Sequence, residues 1–205
     1  TGVQTCALPI CQQLACWLTD IFIKETCMYP YLRTIKTILS ARYRSSLNFG
    51  DTAILNLRAG FTDIDHYGEI NNGRQLTLMD LGRYDLGVRG GLMKLIAEKK
   101  WGFAVGGSSI RYRRRITLWK KFQLHTEVIG HDGRWFYFLQ KMCQGENICS
   151  SALIKAGVVS KNGLVPAEKV MEEFPDNSWA GDLPEWVKAW IDAESQRPWP
   201  SNPSS

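Results

Sequence analysis

The chain has 205 residues, 44% of them hydrophobic and 22% charged, with a formal net charge of +5. That length and balance hold one full domain with a sizeable core plus extensions, and exclude a disordered chain or a miniature disulfide scaffold. The charge is uneven: residues 28–167 carry 21 Lys and Arg against 10 Asp and Glu, whereas residues 168–205 carry 3 against 8. A basic central region suits an anionic partner such as nucleotide phosphates, nucleic acid or a membrane surface.

Residues 1–27 show neither helical nor strand periodicity at their start. The apolar run Cys6–Ile23 is broken by Gln12, Gln13 and Asp20 and lacks the basic flank of a signal peptide. We take this segment as a non-native or disordered leader, with Met28 as the start of the domain proper. Residues 28–49 open with MYPYLRTIKTILSARYR, in which Leu32, Ile35, Ile38 and Leu39 share helical spacing and Arg33, Lys36, Arg42 and Arg44 lie elsewhere on the circumference. This basic amphipathic helix suits packing on its own domain, or peripheral contact of residues 28–45 with an anionic membrane surface.

Asp51–Ala59 alternates as a strand, and the polar loop TDIDHYGEINNGR (Thr62–Arg74) follows. GRQLTLMDLGRYDLGVR then has the period of a helix facing a core, ended by Gly90-Gly91, and LMKLIAEKK makes a second short helix. After Trp101 the period changes to two. Four strands are expected over AVGGSSIRYRRRITL, KKFQLHTEVIGHD, RWFYFLQKMCQGEN and ICSSALIKAGVVSK, with turns at GHDGR and QGEN. Residues 166–205 give PAEKVMEEF as a helix begun by Pro166, LPEWVKAWIDAES as a helix with Trp186 and Trp190 on one face, and a disordered tail. The order predicts an α+β domain over residues 50–165: a five-stranded antiparallel sheet around one long helix. A sheet with free edges suits pairing into a homodimer or homotetramer.

The six cysteines show no CxxC pair and no zinc spacing, so no metal site is expected, and Cys143 and Cys149 are read as reduced thiols of a cytoplasmic protein. No GxSxG elbow, P-loop or dinucleotide fingerprint occurs. His125, in a strand, and His131, in a turn, read as ordinary structural histidines. The loop's aspartates suit turn positions on their own, and Asn71 or Asn72 suits a helix cap whatever the function. Gly68 is expected to take a positive-φ bend.

A strand, Asp63-x-Asp65, and then Asn71-Asn72 entering a long helix followed by four strands resembles the hotdog-fold thioesterases of the 4-hydroxybenzoyl-CoA thioesterase-like family. The resemblance covers about residues 50–161, and Met28–Tyr31, Tyr112–Arg114 and Gly130–Tyr137 are similar to further segments of one subgroup. It implies a hotdog fold and hydrolysis of acyl-CoA thioesters without a cofactor. It implies Asp65 as the catalytic carboxylate, acting as nucleophile or as general base for water. The backbone N–H groups of Asn72 and Gly73, at the helix start, would hold the oxyanion, with Asn71 positioning the loop. Asp63 then falls to a structural role. Glu69 stands where the subgroup has histidine, which puts a second carboxylate by the substrate and leaves a non-catalytic module binding acyl-CoA or lipid as the rival reading. A hydratase pairing Asp65 with His66 is disfavoured, because adjacent residues point apart.

The run RYRRR places Arg111, Arg113 and Arg115 on one face of a continuing strand. There they suit the phosphates of coenzyme A, or a solvated face that discourages edge-to-edge association. Nucleic acid is not expected, since the stacking aromatics of an RNA-binding sheet are missing.

Overall fold

The computed structural model describes residues 29–48, 50–174 and 182–198; the leader and most of the tail lie outside them. In chain order the elements are α1 (Tyr31–Ala41), β1 (Ala53–Arg58), a 3-10 turn (Phe61–Asp63), α2 (Asn72–Arg89), α3 (Leu92–Lys99), β2 (Gly102–Tyr112), β3 (Lys121–His131), β4 (Phe136–Gln144), β5 (Asn147–Ser160), β6 (Gly163–Val165), α4 (Ala167–Met171) and α5 (Glu185–Gln196). The long helix and all five principal strands fall where the periodicities place them. The three-residue β6, which hydrogen-bonds to the end of β5, is an addition. It is too short to show a period.

The sheet is antiparallel, in the order β1-β3-β4-β5-β2, so β1 and β2 are its edges. Its inner face carries the alternate residues that the period of two requires: Leu124 and Val128 from β3, Phe136, Phe138 and Met142 from β4, Ile154, Ala156 and Val158 from β5. Leu78, Met79, Leu81 and Leu86 of α2 pack against them, all fully buried. The helix approaches very closely at Gly82. A Cβ there would stand 2.2 Å from Thr126 Oγ1 and 2.8 Å from Leu124 Cδ2, so only glycine fits.

The outer face is covered as well, which one long helix does not predict. Tyr137 and Leu153 point away from α2 and are buried beneath Leu183 and Val187, with Trp135, Trp190 and Ile191 packed around them. Both flanks of β4 are therefore dry, and Phe136, Tyr137 and Phe138 are buried in succession. Trp190 meets Tyr137 edge-on at 6.4 Å between centroids, whereas Trp186 is exposed, so the two tryptophans of α5 do not share the packed face. The packed stripe is Val187, Trp190 and Ile191.

β2 ends at Tyr112, short of the expected run. The N–H groups of Arg113 and Arg114 both donate to Cys149 O, at 2.8 and 3.0 Å, which turns the chain out of the ladder. Arg111, Arg113 and Arg115 are all exposed, but they do not form the single strand face expected of them. Among the described residues no helix is long and apolar enough to cross a membrane.

Candidate functional site

The loop between β1 and α2 is a small closed structure. Ile64 and Ile70 form an antiparallel bridge, Asp65 N–H donates to Glu69 O at 2.9 Å, and Gly68 N–H donates to Asp65 O at 3.0 Å. Gly68 takes φ +73°, as expected of the residue that closes so tight a turn. A second segment locks the loop from the side: Ile70 N–H donates to Ile116 O and Leu118 N–H to Gly68 O. Phe61 and Trp119 stand exposed at its rim, their rings edge-on at 6.0 Å.

Asp63 and Asp65, two residues apart, face different surroundings. The Asp63 carboxylate is buried and satisfied on all sides. It accepts from Arg33 at 2.7 Å, from Arg74 Nε at 3.1 Å and from the Gly60 N–H at 2.8 Å. Asp63 thus ties α1, the loop and the first turn of α2 together, which is the structural role expected of it. Asp65 is half-buried. Its Oδ1 accepts from the Tyr67 N–H at 2.9 Å, and Oδ2 meets no donor among the described residues.

At the helix start, Asn71 is the N-cap. Its Oδ1 accepts from Gly73 N–H at 2.9 Å and from Arg74 N–H at 3.2 Å, so the Gly73 donor is already used within the chain. The N–H of Asn72, at the first helical position, has no acceptor among the described residues. Tyr112 at the end of β2 donates its hydroxyl to Asn72 O at 3.1 Å and fixes that residue against the sheet. Asn72 stands three residues past Glu69, the cross-strand partner of Asp65, or about 10 Å of extended chain.

Glu69 is turned towards Arg115, with Oε2 3.5 Å from Nε. Arg115 therefore sits beside the loop, apart from Arg111. His66 stacks on Tyr67 with centroids 3.9 Å apart and is exposed. His131 accepts from the Gly133 N–H through Nδ1, a turn contact. Cys143 and Cys149 are free and buried, and burial pushes both thiols up. No group of His, Cys, Asp or Glu among the described residues is arranged to hold a metal.

Sequence reasoning did not find the cavity of 380 Å³ between α2, α3 and the sheet. Leu92, Met93, Ile96, Phe103 and Phe138 give it an apolar body, and Asp80, Arg83 and Tyr84 give it a polar end. Arg83 pairs with Asp80 and donates to Gln140 Oε1, while Gln140 Nε2 donates to Met79 O at 2.8 Å and Thr126 Oγ1 at 2.9 Å. Burial pulls the Arg83 guanidinium down, and Asp80 opposes that shift. Tyr29 donates its hydroxyl to Asp80 at 3.1 Å; burial, and then the Asp80 charge, push its pKa well above the usual phenol value. The signal in the sequence was an Asp and an Arg three apart on the core side of a helix, a placement that only pairing makes tolerable.

An antiparallel sheet wrapped on one long helix, with a polar loop leading into that helix, is the hotdog thioesterase fold. The chain belongs to the thioesterase-like superfamily, whose model matches residues 59–191. It is 25% identical over 167 residues to Protein THEM6 of Drosophila melanogaster, covering 80% of this chain and 84% of that one. It is 30% identical over 141 residues to Protein THEM6 of Danio rerio, covering 65% and 67%. Among solved structures it is similar to YbaW, a probable thioesterase from Escherichia coli, with a TM-score of 0.54 at 19% identity over 58% of this chain and 93% of that one. It is also similar to the 1,4-dihydroxy-2-naphthoyl-CoA thioesterase of Synechocystis, with a TM-score of 0.52 at 11% identity over 60% and 93%. At those identities the structural likeness establishes the fold.

Proposed function

We propose that this protein hydrolyses acyl-CoA thioesters to the free acid and coenzyme A. What supports the reading is that one short loop carries a half-buried carboxylate with a spare oxygen, Asp65, and ends at an open backbone N–H, that of Asn72 at the first residue of α2. The thioester carbonyl oxygen lies at the Asn72 N–H, where the helix dipole and the unpaired donor favour the negative charge of the tetrahedral state. Asp65 Oδ2, free of other donors among the described residues, either attacks the carbonyl carbon, expelling the coenzyme A thiolate and leaving an acyl-aspartyl anhydride that water then cleaves to the free acid, or takes a proton from a water that attacks the carbonyl directly and expels the thiolate. Gly73, whose N–H is held by Asn71, has no part in the oxyanion site, and Asn71 sets the geometry of that turn. Superfamily membership supports this chemistry, and it needs no cofactor.

The acyl group lies between α2 and the sheet, where the 380 Å³ cavity offers apolar volume. Arg111, Arg113 and Arg115 serve the coenzyme A phosphates from the end of β2, with Glu69 and Arg115 at the mouth of the loop. The β2 edge suits a homodimer or homotetramer. The free thiols suit a reducing, cytoplasmic setting, with peripheral membrane contact through residues 28–45.

The test is a panel of acyl-CoAs of varied chain length, with released thiol followed by a trapping dye. Turnover on part of the panel is expected, and loss of most of it in Asp65→Asn. Full turnover in that variant would sink the site assignment. A second reading, a module that binds acyl-CoA without cleaving it, is favoured by Asp65 Oδ1 being engaged by Tyr67 and by Glu69 in the place of histidine. Measurable acyl-CoA binding with no thiol release across the panel would establish it.

A further inference from the structure

Helix α1 is mounted with its polar side inward. The residues it buries are Thr34, Thr37 and Ala41. Leu32, Ile35 and Leu39, on a neighbouring stripe, are 85%, 54% and 50% exposed, and Tyr43 just beyond the helix is 92% exposed. Ile38, on the inner side, is half-buried, and ion pairs anchor both ends of the helix. Arg33 pairs with buried Asp63 at 2.7 Å, and Arg44, past its end, pairs with buried Asp85 at 2.7 Å. Leucine and isoleucine at three- and four-residue spacing, left in water on a domain with a full core, mark a contact surface.

What lies beside the stripe indicates what it meets. On the flank of α1, against the β1 edge, is a cleft of 790 Å³. Arg33, Lys36, Arg58 and Lys121 line it, Leu57 and Phe122 form part of its floor, and no carboxylate is among its described lining residues. Lys36, Arg58, Lys121 and nearby Arg42 make no ion pair among the described residues. Lys36 borders both features: it lines the cleft and sits one residue from Ile35. A second copy docked on this face by a twofold axis would bring these like charges together. An anionic bilayer instead satisfies both features, with head-group phosphates in the cleft and the stripe at the boundary of the acyl region.

We propose that α1 and the adjoining cleft form an interfacial docking site for anionic phospholipid. It orients the domain on a membrane with the α1 stripe inserted and the Lys36–Arg58–Lys121 cleft over the head groups. The proposal rests on the membrane contact of residues 28–45 given above and not on hydrolysis; Arg33, which lines the cleft and pairs with Asp63 of the loop, is left unchanged in the test.

The full chain is to be floated with vesicles of phosphatidylcholine, with and without phosphatidylserine. Binding is expected to the anionic vesicles, to weaken as salt is raised, and to fall on the order of fivefold for each of Lys36→Ala, Arg58→Ala and Lys121→Ala. Leu32→Ser/Ile35→Ser/Leu39→Ser, all at exposed positions, should abolish it without changing hydrolysis of a short, soluble acyl-CoA. Four results would overturn the proposal. One is no vesicle binding. Another is binding that ignores all these substitutions, which would assign it to residues 1–28. A third is a change of oligomeric mass in the triple variant with vesicle binding intact, which would assign the stripe to a second copy. The last is saturable binding of inorganic phosphate in the cleft without vesicle binding.

Discussion

The base and the tip of the β1–α2 loop use the same residue type to opposite ends. At the base, Asp63 is buried and receives two guanidinium groups and a backbone N–H. At the tip, Asp65 is half-buried and receives one backbone N–H, with an oxygen to spare. A carboxylate surrounded by donors is a fastener, because its lone pairs are spent holding other elements. Under the proposed function, a carboxylate with a spare oxygen, in a loop that ends at an open helix N-terminus, acts on the thioester. The base makes the loop rigid, and that rigidity lets the tip hold a reactive group in place at small conformational cost.

The sharpest way to break this comparison is to exchange the two roles by mutation. Asp65→Asn should lower acyl-CoA turnover about 10²- to 10⁴-fold, the range of a lost general base, while the melting temperature barely moves, because the asparagine oxygen still accepts from Tyr67. Asp63→Ala should do the reverse in the first instance. Leaving Arg33 and Arg74 without their buried partner should cost about 3–5 kcal/mol in denaturant unfolding. If Asp63→Ala folds as well as the parent yet loses turnover, the assignment of fastener and reagent is inverted.

Asn71→Ala sharpens the comparison at the helix end of the loop. It removes the cap on Gly73 and Arg74 and should cost about 1 kcal/mol of stability. Turnover should fall beyond what that loss explains, since the Asn72 N–H is no longer held in position.

A smaller effect is expected at the GHDGR turn, far from the loop. Burial alone would raise the Asp132 carboxyl. The Tyr137 hydroxyl at 2.7 Å and the N–H groups of Trp135 and Arg134 overcome that and hold it below the usual carboxylate range. The folded state therefore favours ionised Asp132. Its contribution is present above the unfolded carboxyl's pKa of about 4 and is lost as pH falls through the lower folded value. Asp132→Asn should flatten the acid limb of a melting-temperature profile and leave the turnover profile unmoved.

Much of the fold was legible because it follows from local period. The recurrence of apolar residues such as Leu76, Met79 and Tyr84 along one stretch reads as a helix facing a core, and the alternation through Phe122, Leu124 and Val128 as a half-buried strand. Gly68 followed from the need of a tight turn for positive φ, and Asn71 from cap chemistry. The run RYRRR misled, because a period of two says nothing about where the partner strand stops accepting hydrogen bonds. Cys149 O ended β2 by taking two donors at once. Trp186 and Trp190 were legible as helical neighbours, but which of them packs depended on the site of Tyr137. The Asp80–Arg83–Gln140 chain was hidden because Gln140 is 57 residues from Arg83, and no local pattern joins them.

By itself, then, the sequence determined the element order, the antiparallel sheet around α2, and the loop that puts Asp65 ahead of a helix N-terminus. Those features arise from backbone geometry and side-chain period within a dozen residues. The tertiary structure alone decided which of two aspartates is spent on arginines, that Gly73 is capped while Asn72 stays open, and that α1 turns its leucines outward. The first and the last depend on distant partners, Arg33 for Asp63 and Asp85 for Arg44, and a contact between distant residues leaves no period to read; the second depends on which N–H the Asn71 side chain reaches.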